Sequence, residues 1–238
     1  MKFSIALCQM AVSEEKKENC RRAEKWVQRA AEAGADIVTL PEMWNCPYSN
    51  DYFRPYAEPE DGDTVAFLSR MAQKYHLILV GGSIPELDQG NVYNTSFIFD
   101  ASGTRIGKHR KAHLFDIDIK GGIRFMESDT LRPGDHATVV DTALGKIGVA
   151  ICYDVRFPEL SRRMALMGAE LIVLPAAFNM TTGPAHWELS MRARALDNQV
   201  YFAACSPARQ ENSVYEAWGH SRSEEHTSDS SHGRRSRM

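Results

Sequence analysis

The stretch "GVAICYD", residues 148–154, sets a single thiol, Cys152, at the end of a short apolar run and directly before polar residues. Such a run reads as a buried strand that ends in a turn. A nucleophile on a strand-to-helix turn projects beyond the sheet edge, where backbone N–H groups can face a developing oxyanion. The same thiol read as a small apolar plug is the alternative, because free cysteine is usually buried. A nucleophilic thiol needs a group to take its proton. Among the histidines, His109, His113, His136 and His186 are available, and a Cys–His pair through His109 or His113 stays open. A carboxylate can also serve. Glu42 ends the apolar stretch "ADIVTLPE", the position at which an open α/β sheet places ligand-binding groups, although a surface glutamate at a strand end would look the same. The third candidate lies in "GKHRKAHLFD". Lys108, His109, Arg110 and Lys111 could form a solvated charge run, yet the apolar "HLFDI" that follows directs Lys111 inward, where an ammonium favours a nearby thiolate or carboxylate.

Groups this far apart must be held by a scaffold, and its elements are legible. Phe3–Met10, Ala35–Leu40, Leu77–Gly81, Val92–Asp100, Thr104–Lys108, Ala137–Asp141, Lys146–Ile151, Glu170–Pro175 and Val200–Cys205 are short, β-branched or aromatic, and bounded by turn or helix signals, which predicts strands. Ser13–Ala33 repeats Ala23, Trp26, Val27, Ala30 and Ala31 at one-face helical spacing, with Glu14 and Glu15 in the first turn and Gly34 as the stop. Thr64–Tyr75, Pro158–Met167 and Ala185–Asn198 are further helix candidates. Strand, helix, strand at the start and around Cys152 predicts an α/β protein. The middle strands follow one another across the turn-like "PELDQGN" and "ASG", so antiparallel neighbours and a mixed sheet are expected. "ESDTLRPGDHA" is expected to be a loop.

The chain has 238 residues, 43% hydrophobic and 25% charged, with a formal net charge of −3. That describes an ordinary soluble globular chain and supplies no general attraction to nucleic acid or to an anionic membrane. No apolar run is long enough to cross a bilayer, and Met1-Lys2-Phe3 leads straight into a strand-like stretch, which favours the cytoplasm. Five widely spaced cysteines without a Cys-x-x-Cys pair argue against a disulfide framework or a zinc site. From Ser221 the composition turns polar and serine-rich, so residues 221–238 are expected to be disordered or foreign to the domain 1–220. "RSEEHTS" there resembles a translated sequencing adapter.

"LPEMW" with Glu42, "KHRKAHLFDID" with Lys111 and "GVAICYDVRFPEL" with Cys152 together resemble the Glu–Lys–Cys signature of the nitrilase superfamily, the carbon-nitrogen hydrolases. The resemblance runs from "IALCQM" to "AWGHS", and "FNMTTGPAHWELSMRARALDNQVY" is similar to the ω-amidase (Nit2-like) branch. Nitrilases proper tend to carry Trp-Glu after the nucleophile. Tyr153-Asp154 here points to an amide rather than a nitrile. The resemblance implies an α-β-β-α sandwich of two mixed sheets with outer helices, paired into a homodimer through helical layers. Family members continue after "AWGHS" with further strands and a segment that crosses to the partner; this chain departs from them there, so its domain is expected to be C-terminally incomplete and the homodimer is expected of the full-length family rather than of this chain.

For chemistry, the resemblance implies thiol-dependent hydrolysis of a small amide without metal or organic cofactor. Cys152 would be the nucleophile, Glu42 the base and then the acid, and Lys111 with the backbone N–H of Tyr153 the oxyanion donors. Glu127 in "RFMES" matches a supporting acidic residue. Tyr48, Phe115, Asn179, Thr181 and Thr182 flank the matched motifs and are candidate pocket walls. The substrate implied is a short dicarboxylate monoamide such as α-ketoglutaramate or succinamate, with deaminated glutathione or an N-carbamoyl compound as alternatives. Its carboxylate needs a cation. Arg156, Arg192 and Arg194 are the candidates. A non-catalytic homologue serving only as a binding module is the rival of another class.

Overall fold

The computed structural model describes residues 3–118, 120 and 124–225. The first half of the chain builds a seven-stranded mixed sheet from β1 (Ile5–Leu7), β2 (Ile37–Thr39), β3 (Ile78–Val80), β4 (Ile84–Asp88), β5 (Asn91–Phe99) and β6 (Arg105–Arg110), joined by β9 (Leu131–Arg132). A separate ribbon pairs β7 (Asp116–Asp118) with β8 (Arg124–Met126). The second sheet runs in the order β10 (Thr138–Thr142), β11 (Gly145–Val149), β12 (Leu171–Pro175), β13 (Tyr201–Cys205) and β14 (Arg222–Glu224). β11, β12 and β13 are parallel neighbours, with antiparallel strands at both edges. β12 reads Leu-Ile-Val-Leu-Pro and is buried throughout, as a parallel strand covered on both faces must be.

The helices are α1 (Lys16–Glu32), α2 (Asn50–Tyr56), α3 (Asp63–Tyr75), α4 (Pro158–Leu166) and α5 (Thr182–Asn198). On α1 the buried Asn19, Ala23, Val27 and Ala30 form one stripe, which seats the helix on the first sheet. That sheet buries Val38, Leu40, Leu79, Phe97 and Phe99 against α1 and α3. The second sheet buries Ile172, Leu174, Phe202 and Ala204 against α4 and α5. A third cluster joins Ile37, Ile78, Val80 and Ile98 of the first sheet to Ile147, Val149, Leu171, Val173 and Ala203 of the second. Two sheets therefore stand face to face with helices outside, the expected α-β-β-α sandwich.

All nine expected strands and the four expected helices are present, with shifted ends. Four differences have physical causes. "PELDQGN" is not all turn: Ile84–Asp88 forms β4, and only Gln89 and Gly90, at φ 47° and 79°, make the two-residue hairpin to β5. "ESDTLRPGDHA" contains a 3-10 turn at Glu127–Asp129 and β9. α5 begins at Thr182 rather than Ala185, because Asn179 Oδ1 accepts from the Thr181 and Thr182 amides and from the Thr182 hydroxyl. The polar tail does not begin at Ser221: Arg222–Glu224 pairs with β13, its arginine bridged to Glu188 and Glu224. Residues 226–238 lie outside the described residues.

Candidate active site

Glu42, Lys111 and Cys152 leave the carboxyl ends of β2, β6 and β11, strands of two different sheets, and Ala177 follows β12. This is the end at which α/β sheets open toward ligands. Backbone conformations there are unusual. Met43, next to Glu42, has φ 49°, and Cys152 itself has φ 45°, both in the left-handed region that non-glycine residues avoid. At Cys152 the chain turns from strand into a 3-10 turn, Cys152–Arg156, so its side chain points off the sheet edge.

The structure brings the candidates into one buried cluster. Lys111 Nζ is 2.9 Å from Glu42 Oε1 and 2.9 Å from Glu127 Oε1, and all three side chains are wholly enclosed. Asn94 Nδ2 donates to the same Glu42 oxygen at 2.8 Å, and the Ala177 N–H donates to Glu42 Oε2 at 2.8 Å. Glu127 accepts from the Phe115 amide at 2.6 Å and from Tyr48 Oη at 2.5 Å. The Glu42 carboxylate and the Ala177 amide are neighbours of the Cys152 thiol and act on its protonation.

Burial sets the protonation of this cluster. Desolvation pushes the Cys152 thiol well above its ordinary value and Glu42 adds to the rise, while Lys111 pulls the other way and loses. Desolvation also raises Glu42, with Lys111 opposing. For Lys111, burial favours the neutral amine, but Glu127 and Glu42 outweigh it and hold the ammonium. The ammonium alone therefore does not leave a standing thiolate. Instead a thiol sits beside a carboxylate whose proton affinity has been raised, the arrangement for proton transfer concerted with attack.

His109 and His113 do not partner Cys152. His109 Nε2 is 3.0 Å and His113 Nδ1 2.8 Å from Asp154, and the second nitrogen of His109 meets Thr138. Asp154 also accepts from the Ala112, His113 and Ile151 amides, so one buried carboxylate ties the Cys152 turn to the chain immediately after Lys111. Those bonds hold it far below the usual carboxylate range despite burial.

A cavity of about 10 Å3, lined by Cys152, Tyr153, Tyr48, Phe115, Thr182, Arg156, Ala177, Phe178 and Tyr215, opens on the thiol. Of the expected wall residues, Tyr48, Phe115 and Thr182 line it. Asn179 and Thr181 do not: Asn179 is committed to the start of α5, and Thr181 is exposed beside it. Of the three arginines, Arg156 faces the cavity, Arg192 pairs with Glu188, and Arg194 binds Val155 O and Asp197. Among the described residues Arg156 has no carboxylate partner, and its Nε is buried without a hydrogen bond. Tyr215 carried no local signal, sitting in the polar stretch 209–216. It donates to Ala177 O and its ring meets Tyr48 at 4.7 Å. A larger cavity of about 260 Å3 shares Tyr48, Ala177 and Tyr215 with it and is lined by Glu42 as well. Among the described residues no group of histidine, cysteine and acidic side chains is arranged to hold a metal ion, and no helix is long and apolar enough to cross a membrane.

Comparison with known proteins shows the family of the chain. Residues 4–224 match the family model described as carbon-nitrogen hydrolase. The chain is 56% identical over 220 residues to omega-amidase NIT2-A of Xenopus laevis, covering 92% of this chain and 80% of that protein. It is 54% identical over 221 residues to nitrilase homolog 2 of Dictyostelium discoideum, covering 92% and 67%. The crystal structure of Saccharomyces cerevisiae Nit3, a member of branch 10 of the nitrilase superfamily, superposes with a TM-score of 0.86 at 47% identity, covering 93% of this chain and 81% of that one.

Proposed function

This chain belongs to the carbon-nitrogen hydrolase family and is an amidase, and from that premise we propose that it is an ω-amidase, releasing ammonia from the amide of a short substrate that also carries a free carboxylate. Cys152 Sγ attacks the amide carbon as Glu42 takes the thiol proton. Lys111 Nζ and the Tyr153 backbone N–H hold the oxyanion, and a single donor of this kind is worth roughly 2.7–4 kcal/mol of barrier. Glu42 returns its proton to the leaving nitrogen, the C–N bond breaks, and ammonia departs from a Cys152 thioester. Glu42 then takes a proton from water, whose oxygen attacks the thioester carbon. The carboxylic acid leaves and the thiol is restored. Glu127 supports Lys111, with Tyr48 bridging the two.

The observation that carries the carboxylate preference is that Arg156, a guanidinium without an ion pair among the described residues, lines the same narrow cavity as Cys152. Thr182 also lines it, its hydroxyl donating to Asn179 Oδ1. Ammonia release from succinamate and from butyramide, its neutral counterpart of similar length, tests the reading. A kcat/KM for succinamate at least about tenfold higher is expected, and Arg156→Gln should erase the difference. Equal turnover of both amides by the parent protein, or preference for a carbamoyl compound, refutes it.

Pairing into a homodimer through the helical layers is part of the same proposal. It is supported by Leu166 on α4 and by Leu189 and Leu196 on α5, which are 80%, 68% and 63% exposed.

A further inference from the structure

Arg156 is held in place before any substrate arrives. It lies four residues after Cys152 in the same 3-10 turn. Its Nη2 is 2.7 Å from His186 Nδ1, its guanidinium carbon stands 5.4 Å from the ring centre of Phe178, and its Nε is buried with no partner. A guanidinium has donors only, so His186 Nδ1 accepts and the imidazole carries its proton on Nε2. Burial, with the charge of Arg156 adding to it, holds His186 below the usual imidazole value, which favours that neutral acceptor. His186 sits near the start of α5, and Arg194 Nε of the same helix donates to Val155 O at 2.9 Å, which ties the helix to the turn that carries Cys152 and Arg156.

We propose that His186 is a positioning residue for substrate selection: by accepting from Arg156 Nη2 it fixes the plane of the guanidinium, leaving the remaining donors turned to the substrate carboxylate. This rests on the reading that Arg156 receives that carboxylate. A guanidinium recognises a carboxylate through paired N–H groups in a fixed fork, so a rotated plane forfeits the pairing even though the charge stays nearby. The unpartnered Nε points the same way. A buried donor left unsatisfied in the free protein is a cost that a ligand oxygen removes on binding.

The test compares succinamate and butyramide hydrolysis by the parent chain, His186→Phe, His186→Asn and Arg156→Gln, with Tm recorded for each. Phenylalanine keeps a ring without an acceptor, whereas asparagine places an oxygen where Nδ1 stood. His186→Phe is expected to raise KM for succinamate about tenfold, to change kcat less, and to cut the succinamate-to-butyramide ratio of kcat/KM about tenfold; His186→Asn should restore that ratio to within about threefold of the parent. If His186→Phe leaves the ratio within about twofold of the parent while Arg156→Gln collapses it, the positioning role is overturned and the carboxylate reading stands. Failure of asparagine to restore the ratio in a folded variant overturns it equally. A ratio unmoved by Arg156→Gln removes the carboxylate reading itself, and the role of His186 with it.

Discussion

Lys111 carries its charge in complete enclosure, between two carboxylates that are enclosed with it. Removing one member of such a set strands the others and costs roughly 3–5 kcal/mol. Lys111→Met is therefore expected to abolish ammonia release and to lower Tm in calorimetry as well. Cys152→Ala should lose at least about 10^3-fold in turnover while keeping its Tm, because it removes the nucleophile and leaves every charge paired. Parent-like turnover by either purified variant would withdraw the role assigned to it. Asp154→Asn probes the brace. An amide keeps one acceptor oxygen and turns N–H groups either on the Ala112 and His113 amides or on the Ile151 amide, so Cys152 should lose its placement against Lys111 and react with iodoacetamide about tenfold more slowly. An unchanged rate in a folded variant would show that the brace does not govern the thiol. At this scale Glu42 and Cys152 stood out because each ends an apolar run, and Lys111 because an apolar stretch follows its charge run. Tyr215, His186 and the brace did not, because a tyrosine in a polar stretch or a histidine on a helix has meaning only through partners supplied by other elements.

Elements place these groups through their ends. Gly82, at φ 63°, follows β3 and passes under the segment that carries Glu42; a Cβ there would overlap the Pro41 carbonyl oxygen and the Trp44 ring. Gly82→Ala is expected to cost at least about 1–2 kcal/mol from the backbone conformation alone, and to reduce kcat by shifting Glu42. Unaltered denaturation and kcat would contradict this. The end of β6, from which Lys111 emerges, is held by Arg110, which bonds both oxygens of the buried Glu86 at 2.7 and 2.8 Å, with Lys108 and Thr95 on the same carboxylate. Burial pushes Glu86 up, but the bonds from Arg110, Lys108 and Thr95 prevail and bring it down to about 2. A carboxyl group with a lowered folded-state pKa adds stability that is complete above its unfolded pKa and is lost as pH falls through the folded one. Tm should therefore drop as pH falls from about 4.5 toward about 2, and less steeply in Glu86→Gln. Identical slopes would exclude Glu86 as a contributor. Strand identity was legible where one pattern dominated, as in the fully apolar β12. β4 was hidden because its Pro, Glu and Asp read as a turn, and its pairing with β5 comes from the Gln89–Gly90 hairpin and the Glu86 network rather than from strand propensity.

The whole molecule shows where covered surface ends. Leu166 at the end of α4 and Leu189 and Leu196, seven positions apart on one face of α5, lie exposed, and exposed apolar groups on a helix face suit an interaction surface. A chain that dimerises through this layer should sediment as a dimer, and Leu189→Lys with Leu196→Lys should shift it to monomer; a monomeric parent would remove the proposal. At this scale the sequence by itself determined what depends on neighbours along the chain: strands and helices by apolar period, layering by which stripes must be covered, and reactive types at strand ends. Only the tertiary structure decided which groups face one another. Lys111 meets Glu42 across 69 positions of sequence, and the Ala177 amide meets the same carboxylate across 135. The physical reason is that a buried charge takes its protonation and partners from whatever the two sheets enclose with it, and local pattern carries no record of that company.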